Sequence, residues 1–153
     1  MARIKLDLPE TFTFSAELPI RIYDINYGSH LGNDAVLRLM HEARMQWFRQ
    51  YGLGELDIDG IGLVISDAVI VYQSQGLYGD VLTIGMAAAD LGRYGCDFFY
   101  RISNKDTGME VARAKTGIVF FDYSIRKVAA VPERFRKAFF PGNIAENKSE
   151  AQK

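Results

Sequence analysis

The chain has little of several things, and each scarcity excludes a class of protein. One cysteine, Cys96, stands among 153 residues, which leaves no internal disulfide and no cysteine-built metal cluster. Histidine occurs only at positions 30 and 41, too few for a multi-histidine metal site. His41-Glu42-Ala43-Arg44 also lacks the second histidine of a zinc-protease helix, so no metal is expected. Charge of one sign is missing as well: the net charge is −1 and no basic stripe occurs, which argues against nucleic acid as a partner. No apolar run approaches membrane-spanning length, and the opening MARIKLDLPETFTF holds no apolar signal core. With a lone thiol, this leads to the expectation of a cytoplasmic protein without a membrane partner.

What is present is ordinary for one globular domain: 48% apolar and 24% charged residues, on a chain long enough to bury a core. Residues 1–142 read as a single domain behind a short lead-in, and 143–153 (NIAENKSEAQK) as a polar tail. Residues 11–23, with Phe12 and Phe14 alternating, read as a strand that Pro19 bends or confines to an edge.

From Asn33 the spacing changes. Val36, Leu37, Met40, Ala43, Trp47, Phe48 and Tyr51 recur at helical steps, which predicts a helix of roughly 18 residues. Asn33 or Asp34 is the expected cap and Gly52 or Gly54 the expected stop. Four strand patterns follow, at 62–73, 80–90, 94–103 and 109–123, then a short helix at 132–140 opened by a proline. The order predicts an α+β fold, an antiparallel meander curled around one long helix. In 109–123, Ala112, Ala114, Ile118 and Phe120 share one side, while Val119 and Phe121 lie on the other. The second apolar face calls for cover from the terminal helix or another subunit, hence a homodimer or homotetramer.

The run RIYDINYGSHLGNDAVLRLMHEAR, residues 21–44, concentrates the chemistry. It delivers Asp24, Asn26, Tyr27, His30, Gly32, Asn33 and Asp34 to the start of the long helix, where free N–H groups and the macrodipole favour developing negative charge. Asp24 reads either as a base that activates water or as a loop carboxylate accepting backbone N–H bonds. His30 reads first as a tie that holds the loop down. Glu42 reads as a helix-surface acid or, if buried beside a pocket and held by Arg44, as a general base.

Asp24-x-Asn26, His30 and Asn33 before the helix, Glu42 and Arg44 within it, and Tyr78-Gly79-Asp80 leading into a strand resemble the acyl-CoA thioesterases of the hotdog fold, in particular those similar to 4-hydroxybenzoyl-CoA thioesterase. The resemblance spans roughly residues 12–123. It implies an antiparallel sheet of about five strands wrapped around one central helix, and hydrolysis of an acyl-CoA or acyl-carrier thioester. No cofactor is implied, since coenzyme A is part of the substrate. The catalytic residues it implies are Asp24, Asn26 and Glu42, with Tyr27, His30, Gly32 and Asn33 binding substrate. Asn26 stands where the family carries its second Asp, and an amide cannot take a proton from water. Two alternatives follow: an enoyl-thioester hydratase on the same fold, or a hotdog module that binds acyl thioesters without turnover. Hydratases set their His closer to the Asp than the six-residue step found here.

Overall fold

The computed structural model describes residues 2–142, so the expected polar tail at 143–153 lies outside the described residues. Strand β1 (Phe14–Pro19) leads through a 3-10 turn (Ile22–Asp24) to helix α1 (Asn33–Gln50). Strands β2 (Gly62–Tyr72), β3 (Val81–Ala89), β4 (Gly95–Asn104), β5 (Glu110–Asp122) and β6 (Lys127–Val128) precede helix α2 (Glu133–Phe139). The sheet is antiparallel in the order β1-β3-β4-β5-β2, with β6 added on β5. It wraps one long helix, which is the hotdog arrangement.

Three expectations need correcting. The first strand spans Phe14–Pro19 rather than residues 11–23, because past Ile20 the chain turns into the 3-10 segment. Only β3, β4 and β5 form a meander. β2 pairs with β5 at the far edge, and residues 73–80 carry the chain back across the helix start to β3. That crossover is stitched to the β1–α1 loop: the Leu31 N–H donates to the Gly76 carbonyl (2.8 Å) and the Ile20 N–H to that of Asp80 (2.8 Å). The crossing is tight: a Cβ on Gly76 would lie 2.7 Å from Ile20 Cδ1 and 3.2 Å from Leu31 Cβ, so a larger residue would push those side chains aside. The third correction is the terminal helix, one of the two covers expected for the second sheet face.

Helix α1 runs the expected 18 residues and buries five of the seven residues of the expected stripe, with Leu39 added and Leu37 and Tyr51 exposed. It buries Val36, Met40, Ala43, Trp47 and Phe48 against the inward residues of β3, β4 and β5. On β5 these are Ala112, Ala114, Ile118 and Phe120, as the alternation requires. Trp47 stacks on Phe14 at 5.6 Å and meets Phe139 edge-on at 4.7 Å. Phe135 lies 5.9 Å from Phe48 and 4.7 Å from Phe120, so α2 closes the same side of the sheet as α1. The terminal helix therefore leaves the outer face to others. There the N-terminal segment lies across the sheet: Arg113 donates to the Leu6 carbonyl (2.9 Å), Arg3 to that of Tyr72 (2.9 Å), and the Phe12 ring packs over Gly85 beneath Arg101.

Candidate functional site

The loop between β1 and α1 is shaped by its own polar side chains. Asp24 is buried, and its Oδ2 accepts the Arg21 backbone N–H at 2.9 Å. Its carbonyl accepts the Gly32 N–H at 2.8 Å, which closes the loop at its base. Asn26 Oδ1 accepts the backbone N–H groups of Gly28 (2.9 Å) and His30 (3.3 Å), an Asx-type turn. The Asn26 oxygen is thus committed to the loop, and only its NH2 group remains to meet a ligand. Tyr27 stands fully exposed at the tip, while His30 is half-buried on the return limb.

At the helix start, Gly32 takes the N-cap position and supplies no side-chain cap, so neither Asn33 nor Asp34 caps as expected. Asn33 Oδ1 instead accepts the Asp34 N–H at 3.0 Å, and the Asn33 carbonyl accepts the Tyr72 hydroxyl at 2.9 Å. The Asn33 N–H finds no acceptor among the described residues, as befits a first-turn donor. Arg38, one turn on, hydrogen-bonds the Asp34 carboxylate (3.2 Å) and holds its pKa below the ordinary value.

A cleft of about 550 Å³ opens between the turn that holds Asp24, the end of β1 and the outward side of α1. Asp24 and Glu42 both line it, so the structure brings these two candidates together while Asn26, Tyr27 and His30 stay on the loop. Asp24 Oδ1 faces Arg38 Nη2 across 3.9 Å, too far for a direct hydrogen bond. Glu42 is exposed and accepts a bond from the Gln46 amide (3.1 Å). It makes no pair with Arg44, contrary to expectation, because residues two apart on a helix point to opposite sides.

Arg44 points inward instead, and there lies the cluster that sequence reasoning missed. Nearly buried, it pairs through Nε with Glu55 and through Nη1 with the Tyr100 hydroxyl (3.1 Å). The Tyr100 hydroxyl in turn meets Thr116 Oγ1 at 2.8 Å, and His41 Nε2 meets the other Glu55 oxygen at 3.1 Å. Burial alone would pull the Arg44 pKa down, but Tyr100 and Glu55 outweigh it and the net direction is upward. The only signal was an arginine on the apolar side of the helix; nothing in the 52–60 connection marked Glu55 as its partner. Cys96 is buried, and burial pushes its thiol up, away from reactivity. Among the described residues no three metal-ligating side chains come together, and no helix is long and apolar enough to cross a membrane.

The fold is that of the thioesterase-like superfamily. The model of that family matches residues 20–139, and the chain belongs to it. Solved structures agree in shape. The 1,4-dihydroxy-2-naphthoyl-CoA thioesterase of Synechocystis is 22% identical with a TM-score of 0.77, over 82% of this chain and 94% of its own. YbaW, a probable thioesterase from Escherichia coli, is 22% identical with a TM-score of 0.66, over 81% and 94%. A hypothetical protein from Aquifex aeolicus is 20% identical with a TM-score of 0.75, over 82% and 98%. Likeness at this identity speaks for the fold. No curated protein matches the sequence.

Proposed function

We propose that the chain hydrolyses an acyl-CoA thioester to the free acid and CoA, with Asp24 as the general base. The observation that carries this reading is the divided use of one buried carboxylate. One oxygen is fixed by the Arg21 N–H, and the other faces the cleft with no hydrogen-bond partner at ordinary distance. A water placed between Asp24 Oδ1 and Arg38 would be held by both groups. As it attacks the thioester carbon, its proton passes to Asp24. The new C–O bond pushes charge onto the carbonyl oxygen, which the free Asn33 N–H and the helix dipole stabilise. The Asn26 NH2 group is the second donor. Collapse breaks the C–S bond, and the proton held by Asp24 leaves with the thiolate. Glu42 lines the same cleft and orients the acyl group; Tyr27 and His30 rim the loop. Gly32 spends its N–H on Asp24 and so shapes the site rather than donating to substrate.

The reading needs water and no cofactor. We further take the enzyme to be cytoplasmic, and a homo-oligomer paired through the free edge of β2. An acyl-carrier protein could present the same thioester in place of CoA. Thiol release from short, long and aromatic acyl-CoA substrates tests the proposal. Asp24→Asn should lower kcat by about 10²–10⁴-fold, the range for losing a general base. Asn26→Ala should cost less. Glu42→Gln should act through KM. No release by the wild type, with activity gained in Asn26→Asp, would favour a module that binds acyl thioesters without turnover. Hydration of an enoyl-CoA without thiol release would favour the hydratase.

A further inference from the structure

We infer that the cleft beside Asp24 selects short acyl groups carrying a hydrogen-bonding substituent, a hydroxyl above all, over bare hydrocarbon chains; this rests on the thioesterase reading above. The first support is the inventory of the cleft walls. Glu17 is already paired with Lys105 (2.9 Å), and Arg38 with Asp34. The Arg21 guanidinium bonds only the Tyr23 hydroxyl (3.3 Å) and makes no ion pair among the described residues. Glu42, in the same lining, has only the Gln46 amide. Apart from Asp24 and Arg38, which hold the reacting water, the cleft lining therefore keeps one cation and one anion without an ion-pair partner among the described residues. A charged acyl group would meet attraction at one of them and repulsion at the other. A hydroxyl, which both donates and accepts, suits both.

The second support is what a hydrocarbon would gain and lose. The apolar lining is Leu18, Pro19, Leu39 and the Tyr23 ring, set among six polar or charged residues. A bare chain would displace water from Arg21, Glu42 and Gln46 without replacing its hydrogen bonds. Nor does the core offer a tunnel among the described residues. The space between α1 and the sheet is filled by Trp47, Phe48, Phe98 and Phe135, which pack on one another at ring distances of 5.4–6.1 Å.

Helix geometry sets the position of the substituent. Arg38, Glu42 and Gln46 are spaced four residues apart, so each sits about 5.4–6 Å beyond the last along the cleft. With the thioester carbon beside Asp24 and Arg38, a hydroxyl on the third or fourth acyl carbon comes opposite Glu42.

The test uses unreactive S-alkyl-CoA thioethers and calorimetry on the full chain. The 4-hydroxybutyl thioether should bind about tenfold more tightly than the butyl or octyl thioether, the worth of one or two net hydrogen bonds. In the double variant Glu42→Leu/Gln46→Leu that ratio should fall to near unity and the octyl thioether should gain. Equal or tighter binding of the octyl thioether by the wild type overturns the inference. So does failure to bind the hydroxybutyl thioether, or a ratio unchanged in the variant. These ligands cannot be hydrolysed, so the outcome is independent of turnover. A hydroxyl preference without thiol release from 4-hydroxybutyryl-CoA would strike the hydrolysis reading alone.

Discussion

Asp24 serves the loop with one oxygen and the cleft with the other, which makes its two contributions separable. Asparagine in its place keeps an oxygen for the Arg21 N–H but cannot accept the proton of a water. Asp24→Asn should therefore retain a melting temperature within a few degrees of wild type while thiol release collapses. A parallel loss of both would make Asp24 purely a loop residue. Asn26 behaves in the opposite way: Asn26→Ala removes the acceptor for the Gly28 and His30 N–H groups, and should loosen the loop as well as slow the reaction. Sequence made the polar character of this loop plain, because Asp, Asn, Ser and Gly cluster before a helical period. It did not say which atoms the loop would use for itself. Asp24 and Asn26 look equivalent on an extended segment, yet the 3-10 turn buries the first and leaves the second exposed.

The elements are joined by polar contacts as well as by the aromatic core. The Arg44 network ties α1 to β4 through Tyr100, to β5 through Thr116, and to the connection after the helix through Glu55. Arg44→Met would leave a nearly buried carboxylate and a buried phenol without their cation, and should cost about 3–5 kcal/mol in urea unfolding. Adding Glu55→Gln should recover part of that loss; no recovery would mean that Arg44 acts through packing alone. On the outer face burial pushes the Asp97 carboxyl above its ordinary pKa, with Asp90 adding to it, while Lys115, bound at 2.6 Å to Asp67, pulls only partly the other way. The unfolded chain then releases this proton at lower pH than the folded one. Stability is lost as pH rises from the ordinary carboxylate value through the raised one. Asp97→Asn should raise the melting temperature at about pH 7 and leave it unchanged at about pH 3. Element types were legible because periods of 3.6 and 2 are written in the apolar residues. The partner of β2 was not, since alternation gives a strand its faces but not its neighbour; the crossover through Gly76 decides that.

For the whole molecule the open question is what meets the β2 edge. Its outer backbone groups have no strand partner among the described residues. Ile65 and Tyr72, on the helix side of the sheet, are 41% and 43% exposed, and Leu37, one turn along α1 from the Asn33 carbonyl that Tyr72 bonds, is 47% exposed. A free edge with apolar neighbours is a template for another chain, and two-fold symmetry lets the same strand pair with its own copy. The irregularity between Ile65 and Asp67 interrupts the ladder there and limits the length two copies can share, which favours a closed pair over an open fibre. On the outer face the N-terminal segment already occupies ground that a second kind of contact would need, so a dimer rather than a tetramer is the expected assembly. Light scattering during gel filtration should give about twice the 17.2 kDa chain mass. Ile65→Lys puts a charge into the shared face without touching the loop or the cleft, and should shift the mass toward one chain. If the wild type runs as a monomer at tens of micromolar, the edge is not a self-pairing surface; if thiol release persists in an Ile65→Lys monomer, each chain carries a complete site.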